Sequence, residues 1–151
     1  MRWWRERDRT VSKKQNGTSK ILVINDDQEI LTLFEEILCE AGYTAVLYSS
    51  AINDLSEIER LGPDLIIIDY LIGSEEAGWQ MLQKLKMRRA TANLPIIVCT
   101  AATKLLLETS GYLLSKRVIG LPKPFDIDEL LGAIERALAI TQVVPNAAGQ
   151  H

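Results

Sequence analysis

The stretch ILVINDD, Ile21–Asp27, decides how this chain folds. It joins four consecutive apolar residues, three of them β-branched, to an amide and two carboxylates. A short, continuous apolar run of this kind is typical of a parallel strand that is buried on both faces. We therefore predict a buried strand over residues 21–24, with Asn25, Asp26 and Asp27 at its carboxyl end.

Similar apolar runs recur along the chain and alternate with helical patterns. The four further runs are Ala45–Leu47, Leu65–Ile68, Ile96–Cys99 and Val118–Leu121. The first of them is weaker and is interleaved with Thr44 and Tyr48, which is typical of an edge strand. Apolar residues at three- and four-residue spacing between the runs indicate amphipathic helices. This alternation predicts an α/β fold, an open five-stranded sheet with helices on both faces.

Two of the predicted helices carry clear boundary signals. The helix after the first strand is expected to end at Gly42. Asp126 and Glu129 have the spacing of a capping box, which predicts the start of the last helix. The apolar residues expected to face the core from this last helix are Ile127, Leu130, Leu131, Ile134 and Leu138.

The two ends of the chain lack this pattern. Residues 1–20 hold seven Lys or Arg against two acidic residues, a net charge of +5, so the rest carries −8 of the total of −3. We predict a flexible basic N-terminal tail over 1–19, a domain over 20–140 and a flexible C-terminal tail over 141–151. Trp3-Trp4 among arginines also suits a membrane surface or a nucleic acid, and a misassigned start at Val11 is a further alternative.

Composition excludes several classes of function. A chain of 151 residues with 47% hydrophobic and 25% charged residues is typical of one soluble domain. No apolar run approaches the roughly 18 residues of a membrane helix, and charges interrupt the N-terminus before a signal sequence forms, so we expect a cytoplasmic protein without a membrane span. The acidic body argues against nucleic acid as a partner. The single histidine is His151, and Cys39 and Cys99 lie in apolar patterns, which leaves little for histidine or thiolate chemistry.

Polar residues stand at the carboxyl ends of four predicted strands. They are Asn25-Asp26-Asp27, Asp69, Thr100 and Lys123. Ligands of open α/β sheets bind beyond the carboxyl ends of the strands, so we expect these side chains to share one crevice. Each residue alone is equally well explained as a helix cap, but four such strand ends together are hard to attribute to chance.

This set of side chains suits phosphoryl transfer. Closely spaced carboxylates repel one another unless a cation lies among them, and oxygen ligands without His or Cys favour Mg²⁺ or Mn²⁺. An ionised aspartate can attack phosphorus and form an acyl phosphate. A metal ion, a lysine and a hydroxyl can stabilise the transferring oxygens.

Four segments resemble the response-regulator receiver domain of two-component systems. They are Ile21–Asp27 (ILVINDD), Asp64–Asp69 (DLIIID), Pro95–Ala101 (PIIVCTA) and Lys123–Phe125 (KPF), within a resemblance that covers residues 20–140. The resemblance implies a flavodoxin-like doubly wound sheet with strand order 2-1-3-4-5. It also implies phosphorelay signal transduction, in which a sensor histidine kinase or a histidine phosphotransfer protein supplies a phosphoryl group and altered docking on a downstream protein carries the signal. Because no output domain follows residue 140, we expect the stand-alone single-domain type, either a relay intermediate or an adaptor.

The resemblance also assigns metal ligands. Asp69 looks like the phosphoacceptor and, together with Asp26, a ligand of Mg²⁺ or Mn²⁺. Asn25 is expected to reach the metal through water, and Leu71 through its backbone carbonyl. Asn25 replaces an aspartate of the family, which removes one negative charge and predicts weaker Mg²⁺ binding. Asp27 could supply the missing charge, although we expect it to point towards the first helix.

The remaining site residues match the phosphoryl-binding and switch positions of the family. Thr100 looks like the switch hydroxyl, and Lys123, with the backbone of Ala101, is expected to bind the phosphoryl group. The bond to Pro124 is often cis in the family, which would aim Lys123 inward. Gly120 stands where the family commonly has Tyr or Phe, so coupling through a Thr–aromatic pair is in doubt.

A further surface is expected to bind partners. The helix predicted to carry Leu105, Leu106 and Leu107 forms the family's usual partner or dimer face with the fifth strand and the last helix. We expect a protein target or a second copy of the chain to dock there.

Two alternatives remain open. A degenerate receiver would act as a phosphorylation-independent interaction module; Asn25 and Gly120 favour it, whereas Asp69, Thr100 and Lys123 oppose it. A haloacid dehalogenase-type phosphatase normally has a second aspartate two residues after the nucleophile, where this chain has Leu71. We therefore expect no enzyme activity beyond the chain's own phosphorylation and slow dephosphorylation.

Overall fold

The computed structural model describes residues 18–49, 55–69, 75–101 and 117–149. The strands in these ranges are β1 (Lys20–Ile24), β2 (Thr44–Tyr48), β3 (Leu65–Asp69), β4 (Ile96–Thr100) and β5 (Val118–Pro122). The helices are α1 (Gln28–Glu40), α2 (Ser56–Leu61), α3 (Glu75–Met87) and α4 (Ile127–Gly149). Every apolar run that the sequence predicts as a strand is a strand.

The sheet is parallel throughout, with the strand order β2-β1-β3-β4-β5. This order confirms the predicted flavodoxin-like topology and places the weakly apolar β2 at an edge. Residues 46–48 of β2 are only half-buried, whereas all five residues of β4 are buried. The interleaved polar pattern of β2 is thus explained by its exposure at the edge of the sheet.

Helices cover both faces of the sheet, as predicted. Alternate residues of β1 point to opposite faces: Ile21 and Val23 pack with α1 and α4, whereas Leu22 and Ile24 pack with α2 and α3. The buried side chains that α1 and α4 contribute to the first layer are Leu31, Phe34, Leu38, Leu130, Ala133, Ile134 and Ala137. The second layer receives Leu55, Ile58, Met81, Leu82 and Leu85 from α2, α3 and the residue before α2.

The start and end of α1 follow the predicted signals. Asp27 is the N-cap, and its carboxylate oxygen Oδ1 accepts a hydrogen bond from the backbone N–H of Glu29 at 2.9 Å. Gly42, which follows the C-cap Ala41, has a φ of +95°, a conformation that residues with a Cβ rarely adopt. The chain therefore leaves α1 at the predicted position and turns into β2.

The start of α4 is also confirmed, but one expected core residue is wrong. Asp126 Oδ1 accepts from the backbone N–H of Glu129 at 2.7 Å, and Glu129 Oε1 accepts from the N–H of Asp126 at 2.9 Å. Ile127 is 52% exposed, because it lies in the first turn of α4 beside the exposed Asp126 and Asp128. The small residues Ala133 and Ala137 are the ones that join Leu130 and Ile134 in the core.

The end of α4 differs from expectation. The helix continues to Gly149, although the sequence predicts the end of the domain at residue 140. The flexible tails over 1–19 and 141–151 and the domain boundaries at 20 and 140 stay predictions. Across the described ranges, no helix has the length and hydropathy needed to cross a membrane.

The capping box of α4 gives a first testable prediction. Asp126→Ala removes the oxygen that accepts from Glu129 N–H, and a lost N-cap of this type costs about 1 kcal/mol of unfolding free energy. Asp126→Ser keeps a capping oxygen and is expected to retain most of the stability. Urea denaturation of the three proteins measures the difference; equal loss in both variants would show that the cap does not act through this oxygen.

Candidate functional site

Four adjacent strands place the predicted site residues at their carboxyl ends, along one side of the sheet that is called this edge below. Ile24 of β1 pairs with Ile68 of β3, so Asn25 and Asp69 each follow a paired residue on neighbouring strands. Asp69 itself pairs with Cys99 of β4, one position before Thr100. Because neighbouring strands lie about 4.8 Å apart, the backbones of these residues are close neighbours.

The next pair of strands brings in the lysine. Thr100 is fully buried at the end of β4 and pairs with Pro122 of β5. The backbone N–H of Lys123 donates to the carbonyl oxygen of Thr100 at 2.8 Å, so the lysine directly adjoins the threonine. The peptide bond between Lys123 and Pro124 is cis, as the sequence resemblance implies. The side chain of Lys123 is half-buried, and Ala101, which follows Thr100, is exposed.

The amide and the two carboxylates after β1 have different surroundings. Asn25 is only 3% exposed, its N–H donates to the carbonyl oxygen of Tyr48, and its side-chain Oδ1 accepts from the N–H of Asp27 at 2.7 Å. Asp26 is exposed at the edge. Since the carboxylate of Asp27 caps α1, its expected direction is confirmed and it is not positioned to replace an aspartate at position 25.

One tyrosine at this end of the sheet contributes no charge. Tyr48, the last residue of β2, donates its hydroxyl to Glu57 Oε2 at 3.2 Å. Burial, with a smaller contribution from the Glu57 carboxylate, raises the pKa of the Tyr48 hydroxyl above its usual value near 10. Tyr48 is therefore neutral at physiological pH.

A cavity of about 430 Å³ adjoins the site between α1 and α4. Asn25, Ala101 and Lys123 line it together with apolar side chains of both helices and the sheet. Phe34 and Phe125 pair in its wall, with ring centroids 6.3 Å apart and ring planes tilted by 52°. Sequence patterns gave no signal for this cavity, because an apolar helix residue that lines a void follows the same spacing as one that is packed.

Several predicted features lie outside the described residues. Leu71 and the leucines Leu105, Leu106 and Leu107 are among them. The expected partner face is therefore described only for β5 and α4. Gly120 lies on β5 opposite Val98, at the position where the resemblance implies an aromatic residue.

Comparison with known proteins identifies the family. Residues 21–135 match the family model of the response regulator receiver domain. The chain belongs to this family. It is accordingly a receiver domain of two-component signalling, which confirms the resemblance carried by the strand-end motifs. Receiver domains typically bind Mg²⁺, and they imply a kinase or a phosphotransfer protein as partner.

Individual relatives differ in how much of their length the chain covers. The DNA-binding dual master transcriptional regulator RpaA of Synechocystis is 31% identical over 129 residues, which cover 85% of this chain and 53% of RpaA. NtrC of Escherichia coli is 31% identical over 119 residues, and the chain spans only 24% of its length. Sporulation initiation phosphotransferase F of Bacillus subtilis is 28% identical over 122 residues, covering 80% of this chain and 94% of that protein.

Solved structures agree with the topology. The chemotaxis response regulator CheY4 of Vibrio cholerae superposes with a TM-score of 0.68 at 22% identity, covering 80% of this chain and 98% of CheY4. A response regulator from Chloroflexus aurantiacus gives a TM-score of 0.69 at 27% identity, covering 81% and 98%. These matches establish the CheY-like flavodoxin fold.

Proposed function

We propose that this receiver domain accepts a phosphoryl group on Asp69 from a histidine kinase or a histidine phosphotransfer protein. The observation that carries the proposal is the convergence of Asp26, Asp69, Thr100 and Lys123 at one edge of four adjacent strands. This end of the strands carries two carboxylates, Asp26 and Asp69, beside a hydroxyl and a lysine, whereas the opposite end carries the single carboxylate Asp64 beside Lys20 and Thr44 among the described residues.

The chemistry assigns a task to each group. A carboxylate oxygen of Asp69 forms the new bond to phosphorus while the bond between phosphorus and the donor's imidazole nitrogen breaks, and the imidazole leaves with the bonding electron pair. The ammonium group of Lys123 offsets negative charge on the phosphoryl oxygens, and the hydroxyl of Thr100 and the backbone N–H of Ala101 donate to them. No general base is required, because an aspartate is already ionised at neutral pH.

The chemistry of the groups at these strand ends suits a magnesium site. The exposed carboxylate of Asp26 is an oxygen ligand of the kind that Mg²⁺ prefers, and Asp69 follows on the neighbouring strand. The amide oxygen of Asn25 already accepts from Asp27 N–H, which suits a role through water rather than direct coordination. We propose Asp26, Asp69 and the carbonyl of Leu71 as direct ligands. Bound Mg²⁺, or Mn²⁺, supplies positive charge that offsets the charge of the phosphoryl group.

The amide at position 25 gives a prediction about metal affinity. Asn25→Asp adds one negative charge next to Asp26 and is expected to tighten Mg²⁺ binding about tenfold, because unlike charges attract strongly at partly buried sites. Since Asn25 is buried, the variant should also unfold more easily when Mg²⁺ is absent.

A matched control makes the same chemical change away from the site. Asn93 lies before β4, at the opposite edge of the sheet, and its Oδ1 accepts from Arg117 at 2.9 Å, a bond that an aspartate can keep. Titration calorimetry of the Asn25→Asp and Asn93→Asp variants with Mg²⁺ compares the two. Equal affinities would show that position 25 does not contact the metal, directly or through water.

The proposed function is tested by intact-mass measurement after incubation with acetyl phosphate. With Mg²⁺ present, the chain should gain about 80 Da, the mass of one phosphoryl group, and excess EDTA should prevent the gain. A chain that binds Mg²⁺ but never gains this mass would contradict the proposal.

The proposed signalling route is docking on a downstream protein in the cytoplasm. We place the docking or homodimer face on β5, α4 and the segment that carries Leu105–Leu107. The second candidate function is phosphorylation-independent docking. It is favoured by Gly120, because β5 carries no aromatic side chain at this position that could respond to the state of Thr100. Absence of the mass gain, with retained binding of a protein target, would select this second candidate.

A further inference from the structure

We propose that the cavity between α1 and α4 binds a small amphipathic anion, with an apolar chain or ring inside the cavity and a carboxylate-type head group at Lys123. This site goes beyond the proposed phosphorylation of Asp69, and it shares Asn25, Ala101 and Lys123 with the proposed metal and phosphoryl site. The proposal is based on the size of the cavity, the chemistry of its wall and the exposure of one of its apolar side chains.

The size of the cavity suits a small molecule. Its volume of about 430 Å³ lies within the range of roughly 300–1,000 Å³ that is typical of small-molecule sites. The wall is mainly apolar: α1 contributes Ile30, Phe34 and Ile37, and the chain at the start of α4 contributes Phe125 and Leu130. Burial of an apolar ligand body in this cavity would therefore lower the free energy of the complex, and the ligand would lose no hydrogen bonds of its own.

The charge of the wall selects the head group. Among the described residues that line the cavity, Lys123 is the only charged one, and Asn25 adds an amide. No described acidic side chain lines the cavity, since Asp26 is exposed outside it and Asp27 caps α1. A ligand cation would lose its hydration without gaining an opposite charge from the described lining residues, whereas an anion is attracted by the positive charge of Lys123.

The mouth of the cavity is marked by an exposed apolar side chain. Leu33 lines the cavity and is nevertheless 50% exposed, on a helix whose other outward residues include Glu29, Glu36 and Glu40. A ligand that enters here would cover Leu33. Exposure of a leucine beside an open apolar cavity thus indicates the entry side.

The proposal is tested by titrating the full chain with sodium octanoate and following binding by calorimetry. Hexanoate, octanoate and decanoate should bind about fourfold more tightly per added methylene, as expected for burial of the chain. Octylammonium, which has the same chain and the opposite charge, should bind at least about tenfold more weakly than octanoate. Affinity independent of chain length, equal binding of octylammonium, or no binding of octanoate would each overturn the proposal.

Variants locate the binding site. Ile37→Phe fills part of the cavity and should weaken octanoate at least about tenfold, and Lys123→Met should remove the preference for octanoate over octylammonium. Met87→Lys, at the exposed end of α3, is the control and should change neither property. If Ile37→Phe does not fold, Leu33→Phe at the exposed mouth replaces it. Unchanged octanoate binding in a folded cavity variant would show that the ligand binds elsewhere.

Discussion

Replacement of Asp69 by asparagine is expected to abolish the mass gain of about 80 Da that acetyl phosphate and Mg²⁺ produce in the parent chain. The amide has almost the same shape as the carboxylate but lacks its anionic, nucleophilic oxygen. Because Asp69 ends β3 and lies between β1 and β4, the variant keeps the strand pairing that holds the site together. The loss should therefore be complete while the far-ultraviolet circular dichroism spectrum is unchanged.

The residue before the same strand provides the matched control. Asp64 lies at the opposite end of β3, where its Oδ2 accepts from the backbone N–H of Lys20 at 2.8 Å. Asp64→Asn keeps a carbonyl oxygen for this bond, so it should leave the mass gain intact. A gain of the same size in Asp69→Asn would place the phosphoryl group on another residue, and a loss in Asp64→Asn would point to a general effect of mutating β3.

The fold could be predicted in some detail because its strands are buried on both faces. Apart from Lys20 at the start of β1 and Asp69 at the end of β3, every residue of these two strands is apolar, which yields continuous runs that are easy to distinguish from the pattern of an amphipathic helix. The local signals were equally direct, because Asp27, Gly42 and Asp126 act through backbone groups within a few residues. The strand order, in contrast, came from the resemblance to receiver domains and not from the residues themselves.

The wrong and missing assignments concern side-chain surroundings. Ile127 was expected in the core but is exposed, while Ala133 and Ala137 are buried on the helix α4, which packs against β3, β4 and β5. Glu35 is also buried on α1, although a charged residue would be placed at the surface by its type alone. Helical spacing gives the direction of a side chain but not the distance to the element opposite it.

In the candidate site, too, the positions of the residues could be predicted but their surroundings could not. Its residues could be listed from the sequence, because parallel strands end at a common edge and each polar residue stands at such an end. The detailed environment of these residues could not be predicted, because the hydrogen bond from Asp27 N–H to Asn25 and the burial of Asn25 depend on how α1 packs. The cavity beside the site is the extreme case, because Phe34 and Ile37 follow the ordinary core pattern of α1.

The packing of α1 can be tested with two leucines on this helix. Leu38 is fully buried in the layer between α1 and the sheet, so Leu38→Ala should lower the free energy of unfolding by about 2–5 kcal/mol. Leu33→Ala makes the same chemical change on the same helix, at a side chain that is 50% exposed, and should cost about 1 kcal/mol or less. The change in helix propensity is common to both variants, so the difference between them isolates the burial of Leu38.

Urea denaturation of both variants distinguishes the possible arrangements of α1. A domain of this size is stable by only about 5–15 kcal/mol, so Leu38→Ala removes a large fraction of the total. If both variants lose several kcal/mol of unfolding free energy, Leu33 is covered in solution, by a ligand or by another part of the chain. If both lose little, α1 does not pack on the sheet through Leu38. The predicted large difference requires α1 to hold Leu38 against the sheet while Leu33 stays at the open mouth of the cavity.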